Sequence, residues 1–112
     1  MVEIIMTHSD NTLTLKVEGH AGQAEIGQDI VCASVSMLVY NVAQYVRWMY
    51  EGHQLKRSPL VELGDGDSQV VAKPKAEYMA EGLHAFFTLS MGFALLAHNY
   101  PEYVKFSGLK QA

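Results

Sequence analysis

Cys32 is the only thiol in the 112-residue chain. It lies in the run Gly27-Gln28-Asp29-Ile30-Val31-Cys32-Ala33-Ser34-Val35-Ser36, and His20 precedes it across a small-residue stretch. A thiolate is the species that attacks a carbonyl, and a neighbouring histidine can take the thiol proton and later give it to a leaving amine. The two residue types therefore suit a nucleophile and a general acid–base for peptide-bond hydrolysis.

The elements around them must bring the two together. Asp29 is a favoured N-cap residue, and Ile30 to about Tyr50 repeats apolar residues at steps of four and three. This predicts an amphipathic helix that starts after Asp29 and stops near Gly52. Cys32 is then expected on the first turn, where free backbone N–H groups and the positive end of the helix dipole favour a thiolate. On that reading the backbone N–H groups from Val31 to Ala33 are candidate oxyanion donors. Ser36 falls one turn on, on the same face. Asp29 could orient His20, although capping accounts for it more simply. The segment holding Gly19, Gly22 and Gly27 is expected to be a flexible loop that folds over the site when substrate arrives.

Other readings compete. A lone cysteine between Val31 and Ala33 is more often a small core residue than a nucleophile. The glycine-rich stretch lacks Gly-x-Gly-x-x-Gly and Gly-Lys-Ser/Thr, so it does not read as a nucleotide loop. The spacing of Cys32 and the scattered histidines has no metal-ligand pattern, and no cofactor is expected. A redox role lacks a resolving cysteine. Tyr40, Tyr45, Trp48 and Tyr50 read as packing residues, with a peptide groove as the lesser option.

The rest of the chain reads as a frame for this site. Val2–Thr7 and Thr12–Glu18 flank a turn cluster, and Leu13, Leu15 and Val17 alternate with polar residues as in a half-buried strand. Leu60–Leu63 and Gln69–Ala72 flank Gly64-Asp65-Gly66-Asp67, a second hairpin signal. A second helix is expected from about Glu77 to His98, apolar around most of its circumference and so buried on more than one side, one partner being another subunit. Glu102–Phe106 reads as a last strand. The order ββαββαβ predicts an α+β fold, a mixed β-sheet with two α-helices in a single domain over residues 1–112.

Bulk composition narrows the partners. Eight Lys and Arg stand against twelve Asp and Glu, a formal charge of −4. No direct nucleic-acid binding is expected from that balance, whereas a basic peptide would be attracted. The N-terminus lacks the basic region of a signal peptide, and the longest apolar stretch, Leu83–Ala97, falls short of a membrane span of ~20 residues. A lone thiol suits a reducing compartment. The chain is expected in the cytoplasm, off the membrane.

The Gly19-His20-Ala21 triplet followed by Gly27-Gln28-Asp29-Ile30-Val31-Cys32-Ala33-Ser34-Val35-Ser36 resembles the ribosomal-processing cysteine protease family, Prp. The likeness extends through Asn99-Tyr100-Pro101 and the final strand. The resemblance implies a small cytoplasmic endopeptidase that removes the N-terminal extension of large-subunit ribosomal protein number twenty-seven. It implies a Cys–His dyad, here His20 and Cys32, with supporting positions at Asp29 and Ser36, and a homodimer. Ser34 replaces an alanine common at that place in the family. A non-catalytic, ribosome-associated peptide-binding module is the competing reading.

Overall fold

The computed structural model describes the backbone of residues 1–20 and 26–112, and the side chains of residues 1–20 and 30–112. The elements run β1 (Val2–His8), β2 (Leu13–Glu18), α1 (Ile26–Glu51), β3 (Leu60–Gly64), β4 (Asp67–Ala72), a one-turn 3-10 helix at Ala76–Tyr78, α2 (Met79–Asn99) and β5 (Val104–Gln111). The α+β class and the ββαββαβ order hold.

Alternation writes the sheet. In β1, Val2, Ile4 and Met6 are buried while Glu3 and Ile5 are exposed, and β2 repeats the pattern with Leu13, Leu15 and Val17. The strands stand in the order β3-β4-β2-β1-β5, antiparallel except for the parallel β1–β5 pair at one edge. Both helices cover the same face. From α1, Val31, Val35, Val39, Val42, Val46 and Met49 enter one hydrophobic core with the strand residues, and Phe86, Phe93 and Leu96 join from α2. Phe93 packs on Phe106 of β5 at a ring separation of 5.8 Å.

Four features bear on these expectations. First, α1 begins at Ile26 and not after Asp29, so Asp29 is its fourth residue and Cys32 its seventh. An acidic residue suits the positive end of a helix from inside the first turn as well as from the cap, which is why the sequence allowed both. Second, the helix ends at Glu51, directly before Gly52 as expected, and the left-handed conformation falls one residue further on. His53 takes the left-handed conformation at φ 59°, and the N–H of Gln54 donates to the carbonyl of Met49 at 2.9 Å. Third, α2 buries one face within this chain, and the face expected against another subunit is open here. Phe87, Met91 and Leu95, spaced four apart, are exposed by 49%, 53% and 63%. Fourth, when interspersed polar residues are counted in, both helices are long and apolar enough to cross a bilayer by length and composition. Each instead lays one face on the sheet.

Candidate active site

One end of the sheet gathers the chemistry. Strand β2 runs toward it and ends at Glu18, and Glu18 pairs with Asp67, the first residue of β4. The β3–β4 turn therefore lies beside Gly19 and His20. The Gly19 N–H donates to the Gly66 carbonyl at 2.9 Å, and the Met1 amino group donates to the His20 carbonyl at 2.8 Å. Gly19 is a fixed position and no flexible joint. Its φ is +99°, and a Cβ there would sit 2.3 Å from the Met1 carbonyl oxygen.

A cleft of about 310 Å³ opens at this end. His20, Cys32 and Ser36 all line it. Its floor is apolar, made by Val2, Val17, Val35 and Val39. Cys32 is exposed, which removes the reading of this thiol as a core residue. Ser36 follows it one helical turn on, and Tyr40 one turn further, so a single stripe of α1 supplies all three to the cleft.

The helix start supports the thiol less than the sequence suggested. The dipole acts mainly over the first turn, and Cys32 stands in the second. Val31 and Ala33, as the sixth and eighth residues of α1, fall where backbone N–H groups bond within the helix. They are not free oxyanion donors. Of the supposed lid from Ala21 to Gln28, residues 21–25, Gly22 among them, lie outside the described residues, and the remainder is the start of α1. Gly27 belongs to the first turn of α1, not to a loop. Asp29 is placed by its backbone only.

The opposite wall is the β3–β4 turn, through Leu63, Gly64, Asp65, Gly66 and Asp67. The sequence marked these residues as a turn without connecting them to His20. The Asp65 carboxylate faces His20 Nδ1 at 3.9 Å. Asp65 and Asp67 are the carboxylates of the cleft among the described residues, and no Lys or Arg lines it. Lys16 pairs with Glu18 at 3.0 Å, and that carboxylate, helped by Asp67, raises the lysine above its ordinary pKa. Among the described residues no cluster of His, Cys, Asp and Glu could hold a metal ion.

The family model for cysteine protease Prp matches residues 1–105. The chain belongs to that family. As a Prp-family cysteine protease it is an enzyme, and its one cysteine opens onto a cleft shared with a histidine. Its fold is similar to the crystal structure of SMU.848 from Streptococcus mutans, at 25% identity and a TM-score of 0.65, covering 100% of this chain and 96% of that one. It is also similar to the essential ribosomal processing protease Prp from S. aureus in complex with a substrate peptide, at 18% identity, TM-score 0.66, and full coverage of both chains. The same S. aureus protein with a covalently linked product peptide matches at 19% identity and TM-score 0.65, again over 100% of both chains. At those identities the S. aureus likeness shows the fold. No curated protein matches the chain.

Proposed function

We propose that this cysteine protease is an endopeptidase whose nucleophile is Cys32 and whose general acid–base is His20. One observation carries the reading: the only thiol of the chain is exposed in the cleft that the His20 side chain also lines. In the first half-reaction the Cys32 sulfur bonds to the scissile carbonyl carbon, the C–N bond breaks, and His20 gives its proton to the departing amine. In the second, His20 takes a proton from water as the oxygen adds to the acyl carbon, and the S–C bond breaks to restore the thiol. The Ser36 hydroxyl, one turn from the sulfur, is the neighbouring polar group of the helix, and Asp29 is the backbone-placed residue of the preceding turn.

The substrate we propose is the N-terminal extension of large-subunit ribosomal protein number twenty-seven. Support comes from family membership, from the resemblance of the Gly-His-Ala and Asp-Ile-Val-Cys-Ala segments, and from the naming of a structural relative as a ribosomal processing protease with a bound peptide. The cleft itself favours a peptide with basic flanks, because its fixed charges are the carboxylates of Asp65 and Asp67. We place the enzyme in the cytoplasm, where ribosomal proteins are made and a lone thiol stays reduced.

A homodimer is part of the proposal. Met91 and Leu95 of α2 and Met37 of α1 are exposed, and an apolar groove of about 390 Å³ runs between the helices through Leu38, Leu95 and Leu96. Such a surface is costly to leave in water and suits a second copy of the same face. Cleavage of the extended ribosomal protein by wild type, with loss of product in both Cys32→Ala and His20→Ala, tests the catalytic assignment. Full activity in either variant removes the dyad.

A further inference from the structure

The β3–β4 turn meets His20 at three points. Its backbone is tied to the residue before the histidine by the Gly19 N–H to Gly66 carbonyl bond at 2.9 Å, in the register that sets Glu18 opposite Asp67. Its glycine sits against the imidazole: a Cβ on Gly66 would lie 2.3 Å from both Cε1 and Nε2 of His20. Its aspartate faces the other ring nitrogen, with Asp65 Oδ1 3.9 Å from Nδ1. A turn needs a residue such as Gly66, at φ +74°, simply to reverse direction. Reversal does not require the same glycine to touch an imidazole, nor the preceding residue to present a carboxylate to it.

We propose that the β3–β4 turn is the positioning element for His20, with Gly66 as the seat of the imidazole and Asp65 as the carboxylate that orients it. A carboxylate facing Nδ1 favours the tautomer with its proton there, which leaves the Nε2 lone pair to act as base. The glycine limits how far the ring can swing away from the cleft. Asp65 and Gly66 act through His20, so they are positioning residues and not catalytic ones. The inference rests on His20 being the general acid–base.

The size of each effect follows from exposure. The side chains of His20 and Asp65 are 64% and 101% exposed, so water and salt screen their attraction. Removing the charge is worth roughly threefold to fivefold in rate at low salt. A methyl group on Gly66 must displace the ring itself, and a shift of about 1 Å in a reacting group costs on the order of 100-fold.

The experiment measures kcat and KM separately on a peptide spanning the extension junction of ribosomal protein number twenty-seven, at ~0.05 M and ~0.5 M salt. Wild type, Asp65→Asn, Asp65→Glu and Gly66→Ala are compared with Cys32→Ala and His20→Ala, with thermal unfolding recorded for each. The expected result in Asp65→Asn is a lowered kcat, separate from any rise in KM that follows from removing one carboxylate of the cleft. That loss shrinks at the higher salt and is largely restored by Asp65→Glu. Gly66→Ala shows the larger fall in kcat. Should Gly66→Ala unfold, the salt-dependent loss in Asp65→Asn and its rescue by glutamate carry the test alone. Wild-type kcat in Asp65→Asn at low salt overturns the proposal, and so does a rise in KM with kcat unchanged. Activity in His20→Ala overturns the parent reading instead.

Discussion

At the scale of single residues, the cleft is defined by what faces it and not by sequence proximity. Cys32 and Ser36 are spaced by four, so their shared face was legible from the helix period alone, whereas Tyr40, one turn further and also lining the cleft, was read first as a packing residue. Asp65 and Gly66 were not legible in this way. They reach His20 only because β4 pairs with β2, a pairing that no local pattern specifies. The aromatic residues of α1 divide similarly. Tyr45 stacks on Trp48 at 5.9 Å and is half-buried, while Tyr40 turns into the cleft. Burial, aided by the Glu81 carboxylate, pushes the Tyr45 hydroxyl above its ordinary pKa. A folded-state pKa above the unfolded one means that the native state holds the proton more tightly. Stability from this group is therefore full below about pH 10 and lost as pH rises through the folded value. Alkaline unfolding curves should show Tyr45→Phe losing less stability than wild type between pH 9 and 11, roughly the window the tyrosine occupies. Equal losses would remove this account of Tyr45.

At the scale of elements, the two helix ends carry the lessons. The start of α1 was misplaced because aspartate serves equally as a cap and as a first-turn residue, and the stretch before it contains no proline to forbid a helix. Its end at Glu51 matches the stop read at Gly52, although the left-handed conformation went to His53 and not to the glycine. A non-glycine residue there costs about 1 kcal/mol. His53→Gly should raise stability by roughly 0.5–1 kcal/mol, seen as a Tm increase of a few degrees. No gain would mean that the histidine side chain compensates locally. Gly19 predicts the reverse sign. Gly19→Ala meets both a positive φ and the Met1 carbonyl, and should cost about 1–3 kcal/mol in denaturant unfolding. Tolerance of alanine there would show that the N-terminal strand yields.

At the scale of the whole molecule, strand alternation and helix period made the two-layer α+β arrangement legible, because each apolar stripe has one sheet face to cover. The apolar excess of α2 was legible too, and its second face was expected against another subunit. It lies open on the outer surface of this chain. Leu95→Lys combined with Met91→Lys should halve the mass seen by sedimentation without unfolding the chain. An unchanged mass would move the interface elsewhere or abolish it. The acidic cleft gives a second whole-molecule expectation. Raising salt from ~0.05 to ~0.5 M should weaken capture of a basic-flanked peptide, read as a rise in KM, and leave an uncharged-flank peptide unaffected.

The proposed chemistry rests on the Cys32 thiol. The most direct measurement is mass spectrometry of the extended ribosomal protein number twenty-seven after incubation with wild-type enzyme and with Cys32→Ala. The account predicts one truncated product, lacking the N-terminal extension, with wild type and intact protein with the variant. Truncation by Cys32→Ala, or an intact partner after incubation with folded wild type, would contradict it.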